Sequence, residues 1–467
     1  MKRCNFGCML ARSKVVLVFS FILVAMLISC KQGNSGKQGD NSNEQENQVG
    51  TLLTYTGDDN LDPKAFILRG GDKTPVESGK RIKEGEMIEI VANPKDGFIV
   101  DKWNITGSLF EDGTGVNNSL RAKFIVYTTD IVVSVTSTQL KHEFETTVKD
   151  KTLNKDITFN MIEIPRANIA RIGIAGNPFQ PLRFVKLSPF YIAETEVTCE
   201  LYKAVMGENP SYFADDPAPA GEDAMKRPVE SVNWLQALKF CNALTKLTMG
   251  EAHCVYKITG TDEKPNIYAD AGKKGFRLPT ECEWEWAGRG GYYQEPQYCG
   301  PVLDPSELNF EGLTDEEKTK KYQDAVKKVK EMVKEYAWIP TNANKMTHQV
   351  KMKKPNPYKL YDMSGNVAEM CFDDYSEDYP AYPDYIKDGD EVPAGCIETN
   401  PWGPPEGAAI NGVTSKGGSF YSPNPADLNF GVPFATCAYR MPTGHLGGGA
   451  KFVGFRIACN ASSGSSD

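Results

Sequence analysis

The feature that most limits what this chain can fold into is a series of short, glycine-punctuated segments in fixed order. They are "FYIAETEVTCELYKAVMGENPSYF" from Phe190, "RPVESVNWLQALKFCNAL" from Arg227, "FRLPTECEWEWAGRGG" from Phe276, "YDMSGNVAEM" from Tyr361, "KGGSF" from Lys416 and "VGFRIA" from Val453. Two of them carry helical signals. In "SVNWLQALKFCNAL", Trp234, Ala237, Leu238 and Cys241 share one face, with Asn233 near the start. In "RLPTECEWEWAGRGG", Pro279 stands at the entrance, Thr280 suits an N-cap and Glu283 completes a capping box, while Trp284 and Trp286 supply bulk. The stretches between predict an α+β chain with little regular structure.

Taken together, these six segments resemble the sulfatase-modifying-factor family, also called the formylglycine-generating-enzyme-like domain, over roughly residues 160 to 460. The resemblance implies a C-type-lectin-like fold, here expected over 147–467. It also gives "DMSGNVAE" a chemical meaning. Asp362 and Glu369 are hard oxygen donors, and Gly365 lets the backbone turn so that carbonyls face inward, a donor set that suits calcium. The resemblance carries a structural Ca²⁺ over to Asp362, Glu369 and the carbonyls of Gly365 and Val367. By the residues alone the segment is a turn with two exposed acids.

Enzymes of the family oxidise a sulfatase cysteine to formylglycine with O₂ and a Cu(I) ion held by two cysteines, since soft thiolates are the ligands Cu(I) prefers. The resemblance places those cysteines three and eight residues after the serine of "GGS". Counted from Ser419 without a gap, the positions hold Ser422 and Asp427, and neither replaces a thiolate. Cys437, in "CAYR", matches a later, disulfide-bonded cysteine of the family, but its usual partner position is Gly288. A lone thiol there cannot supply a two-coordinate copper site. Cys241 and Cys459 fall at or near family disulfide positions and are expected to pair, with a reduced core pair as the alternative. His142, His253, His348 and His445 form no close ligand cluster along the chain. "GHLGGGAKF" lacks the following Lys-Ser/Thr of a phosphate loop.

The N-terminus reads as export machinery. Lys2, Arg3, Arg12 and Lys14 precede the apolar run "VVLVFSFILVAMLIS", which stops at Cys30. The run is short for a bilayer span, so residues 1–29 read as a cleaved signal. "LISC" resembles a bacterial lipobox, with Cys30 as the lipid-bearing residue, and residues 30–50 read as a solvated tether. Residues 51–140 follow as a small all-β module, in which apolar and polar residues alternate at Met87, Ile88, Ile90 and Ala92. It resembles the divergent internalin-type repeat, with Phe98 and Trp103 in a thin core. Within the larger domain, 314–336 reads as an inserted surface helix opened by the capping box Thr314–Glu317, with Tyr322, Val326, Val329, Val333 and Tyr336 on one face.

The net charge is −9, and loss of the signal's four cations takes it to −13. A chain this acidic has no electrostatic grip on phosphate backbones, and no basic cluster with interleaved aromatics occurs, which excludes nucleic acid as a partner class. The expectation is therefore a lipid-anchored protein of the bacterial cell envelope that binds a protein or glycan ligand, with no copper and no catalytic residues. Relatives of this sort include retroelement-diversified surface proteins, whose binding face lies between "GGS" and "GFR". In that interval Tyr421, Ser422, Asn424, Phe434, Tyr439 and His445 mix aromatic anchors with adaptable polar groups, as paratopes do.

Overall fold

The computed structural model describes residues 50–461, except 70–71, 96–97, 111–120, 140–141, 151–153, 174–181, 291–313, 377–396, 403–411, 422–435 and 445–448. The chain divides into two compact units, Met1–Asn47 and Gln48–Asp467. The first, with the expected signal and Cys30, lies outside the described residues.

Alternation of side chains governs the first part of the larger unit. In Met87–Val91 and the residue after it, Ile88, Ile90 and Ala92 are fully buried on one face while Met87 and Val91 are half-buried; Glu89, on the opposite face, is buried too, paired with Lys73 and Arg121. Lys64–Arg69, Asp72–Val76, Met87–Val91 and Arg121–Ile125 form one antiparallel sheet. Lys80–Ile82, Thr51–Gly57, Ile131–Gln139 and Phe98–Thr106 form another, in which Thr51–Gly57 runs parallel to Ile131–Gln139. Trp103 enters a core with Ile88, Ile90, Phe124 and Val133, whereas Phe98 is only half-buried.

From His142 onward the chain is a mixed α/β structure with few helices and many short strands. Ala458–Asn460, Phe190–Ala193, Lys155–Ile164 and His142–Asp150 make one sheet. Met441–Thr443, Val413–Lys416, Ala368–Asp374 and Val453–Gly454 make a second, which brings the "KGGS", "NVAE" and "VGFR" segments side by side.

Helices form where the caps say they should. α1 is Cys199–Met206, α2 Trp234–Thr248, α3 Glu281–Gly288 and α4 Asp315–Tyr336. The side chains of Asn233, Thr280 and Thr314 each accept from the backbone N–H three residues on, and their own backbone N–H groups donate in return to the side-chain oxygens of Gln236, Glu283 and Glu317. Such a cap contributes about 1 kcal/mol. The α2 stripe of Trp234, Ala237, Leu238 and Cys241 is buried against Tyr202, Phe276, Phe455 and Ile457. Among the described residues no helix is long and apolar enough to cross a membrane.

Candidate functional site

The site rests on two buried charge knots that tie the ordered segments together. The first joins "NVAE" to "GFR". Arg456 donates from Nε to Glu369 Oε2 at 2.6 Å and from Nη2 to Glu369 Oε1 at 2.7 Å, and its remaining donors reach the carbonyls of Ala193 and Tyr361. Trp284 Nε1 adds a bond of 2.5 Å to Glu369. Glu196 lies close enough for its charge to be felt, and burial, with the charges of Asp362 and Glu369, pushes its carboxyl well above the usual range.

Asn366 is the hub beneath. Its N–H donates to the Trp338 carbonyl at 2.7 Å, its Nδ2 to Glu196 Oε2 and the His348 carbonyl, and its Oδ1 accepts from the His348 N–H. This turn runs through left-handed backbone at Asp362, Gly365 and Asn366. Gly365 is required by space as well, since a Cβ there would stand 2.2 Å from the Trp338 carbonyl oxygen.

The second knot joins α3 to "KGGS" and "CAYR". Lys416 is fully buried, with Nζ at 2.8 Å from Glu285 Oε2 and 3.1 Å from the Ala438 carbonyl. Glu285 also accepts from Arg289 and from the Gly173 N–H, and Glu281 accepts from Arg440. Burial by itself would raise the Glu285 carboxyl, but Lys416 and Arg289 bring it down to about 2.

The two acids of the expected calcium set differ in how far they are already engaged. Both Glu369 oxygens are held by a guanidinium, and of Asp362 one oxygen accepts from the Lys351 N–H while Oδ1 is buried without a hydrogen-bond partner. Among the described residues no group of three or more His, Cys, Asp or Glu is arranged to hold a metal ion. The acids are also buried, where the sequence alone reads an exposed turn.

The cysteines depart from expectation too. Cys241 on α2 and Cys459 on the C-terminal strand are both buried free thiols, so the expected pair is not formed and the reduced core alternative holds. Cys437 is disulfide-bonded rather than a lone thiol. The other described free cysteines are Cys199, Cys254, Cys282 and Cys371, and burial pushes all six of these thiols up, Cys199 to about 11 and Cys459 to about 12. A thiol so raised is not a ready nucleophile or metal ligand. His348 is a framework residue, stacked on Trp338 at 3.7 Å between ring centroids, with its ring nitrogens facing Glu222 and the Ala343 carbonyl.

Above the knots sits the "GGS" strand end. Gly417 and Gly418 have φ of 81° and 66°, and a Cβ on Gly417 would meet Trp284 at 2.9 Å. Ser419 Oγ donates to the Tyr421 carbonyl and accepts from the Tyr421 N–H. Of the expected loop residues, Tyr421 is exposed and Tyr439 half-buried. Ser422, Asn424, Asp427, Phe434 and His445 lie outside the described residues. Sequence reasoning missed Tyr212 and Lys451, the latter of which approaches both Tyr212 and Tyr421. Lys451 Nζ is 5.1 Å from the Tyr212 ring centroid and 5.9 Å from that of Tyr421. The pairing joins "NPSYF" to "GGGAKF", far apart in the chain, and nothing local signals it.

The sulfatase-modifying factor enzyme 1-like domain matches residues 149–461. The chain is similar to the chaperone protein LppX of Paenibacillus barcinonensis, 32% identical over 211 residues that cover 43% of this chain and 67% of that protein. It is similar to the formylglycine-generating enzyme of Thermomonospora curvata, 28% identical over 334 residues that cover 66% and 95%. Among solved structures, Treponema denticola variable protein 1 is 30% identical, with a TM-score of 0.49 and coverage of 68% of this chain and 100% of that one. With a domain match spanning most of the chain, this protein belongs to the sulfatase-modifying factor enzyme 1-like (FGE-sulfatase) family.

Proposed function

We propose that this chain is an exported lipoprotein of the bacterial envelope, anchored through Cys30, that displays a non-catalytic domain of lectin-like fold for binding a protein or glycan. The loops between "GGS" and "GFR" are the binding face, and diversification of those loops belongs to the reading. One observation carries it: Ser422 and Asp427 stand where the copper thiolates belong, and no described thiol makes good the loss. Structural calcium is not part of the reading, because Glu369 already holds a guanidinium.

The test is incubation of the full chain with Cu(I), O₂ and a Cys-x-Pro-x-Arg peptide. No aldehyde is expected. Aldehyde that forms, and is lost in Cys437→Ala, refutes the reading. That second reading, a copper-dependent oxidoreductase, draws support from the similarity to the Thermomonospora curvata enzyme over 95% of that protein's length. For the anchor, Cys30→Ala should release the chain from the membrane fraction. A neighbouring reverse transcriptase gene and a near-copy of the DNA for residues 417–458, differing at adenines, is the expected mark of diversification.

A further inference from the structure

Three segments bring two open aromatic rings and one ammonium together on a rigid base. Tyr212 is 64% exposed and Tyr421 40% exposed, so both rings are platforms rather than pocket walls. The turn under Tyr212 is pinned from below by buried Glu230, whose Oε1 accepts from the Phe213 N–H at 3.0 Å and whose Oε2 accepts from Ser231 Oγ at 2.7 Å. Phe213 packs edge-on against both Tyr212 and Phe420, at 5.0 and 5.5 Å between centroids. Tyr421 stacks on Phe452 at 5.4 Å.

The turn carrying Lys451, just before the strand Val453–Gly454, is fixed as closely. The Ser231 N–H donates to the Ala450 carbonyl, and a Cβ on Gly449 would stand 2.0 Å from the Ser231 carbonyl carbon. Lys451 then lies within reach of both rings, and among the described residues no carboxylate pairs with it. Its charge is held in place by ring quadrupoles that leave it available to an anion.

We infer that Tyr212, Lys451 and Tyr421 form a site for a carboxylated saccharide, of the hexuronate class. The inference rests on the reading of this face as a binding surface and names its ligand. The ammonium matches the carboxylate through a charge-assisted hydrogen bond. The electron-rich tyrosine rings match the C–H face of a pyranose ring. A protein partner instead seats an anchor side chain in a well-packed pocket, which two rings this exposed do not provide. In a chain of net charge −9, an anionic ligand needs a local cation, so Lys451 decides the specificity.

The experiment is calorimetric titration of the full chain with oligosaccharides of glucuronate, galacturonate and mannuronate, with their carboxyl-reduced forms and with an acidic tyrosine-containing peptide. At least one hexuronate is expected to bind. Carboxyl reduction and Lys451→Gln should each weaken it by about tenfold or more. Tyr212→Ala should weaken it while Tyr212→Phe retains it, with unchanged urea midpoints showing that the fold is intact. No binding by any hexuronate, equal binding after reduction or in Lys451→Gln, or tighter binding of the peptide overturns the inference. Aldehyde formation in the copper assay would remove the non-catalytic reading alone. Absence of both aldehyde and saccharide binding would remove this inference alone.

Discussion

Replacing Arg456 by Met tests whether a guanidinium, and not a metal ion, neutralises the acids at the centre of the fold. The substitution keeps most of the aliphatic volume and deletes the bonds to Glu369, Ala193 and Tyr361. Glu369 is left 1% exposed with only the Trp284 indole, beside Glu196 and Asp362. Removing one partner of such a buried pair costs about 3–5 kcal/mol. For a unit of this size that is about 2 °C of melting temperature per kcal/mol, so a fall of roughly 6–10 °C follows. The assay is urea and thermal unfolding of wild type and Arg456→Met, each with calcium and with a chelator. Wild type should be indifferent to both additions. A wild-type midpoint that falls on chelation, or an Arg456→Met loss below about 1 kcal/mol, would refute the reasoning, since an ion would then be supplying the charge assigned to the guanidinium.

Further outcomes follow from the same geometry. Glu285 has its folded pKa depressed to about 2, so its contribution is present above its ordinary value of 4.5 and is lost as pH falls through about 2. Acid unfolding followed by circular dichroism should show a loss of about 3 kcal/mol over that window, and Glu285→Gln should flatten it. Native thiols should react slowly with a disulfide reagent at pH 8, half-buried Cys254 first and Cys241, Cys282 and Cys371 only on unfolding. Rapid labelling of buried cysteines in the native state would contradict their burial. Gly417→Ala should lower stability by about 1–3 kcal/mol in urea titration, because both φ and the Trp284 contact oppose a Cβ.

What was legible in the sequence is what local rules record. The boxes at Thr280 and Thr314 and the stripe from Trp234 to Cys241 depend on residues three or four apart, and the structure places them accordingly. The apolar period of two at Ile88, Ile90 and Ala92 is read with equal ease, whereas the burial of Glu89 between them is not. Not legible were pairings across long separations. Arg456 meets Glu369 across 87 positions and Lys416 meets Glu285 across 131, and no periodicity encodes either. Without those partners, Asp362 and Glu369 read as loose surface acids. Folded, both are interior groups, and the Glu369 charge is met by the Arg456 guanidinium. The contact of Tyr212 with Lys451 is invisible in the sequence for the same reason.

Asn366 takes the Phe420 N–H on its carbonyl, and Ser419 holds the Tyr421 N–H, so the strand end is secured before the chain enters 422–435. None of these anchoring bonds is supplied by the residues that follow. The exit of this strand is therefore seated like a beam end in its bracket: the course of the chain from Gly417 to Tyr421 is set by bonds to Gly365, Asn366 and Ser419, all within the described framework.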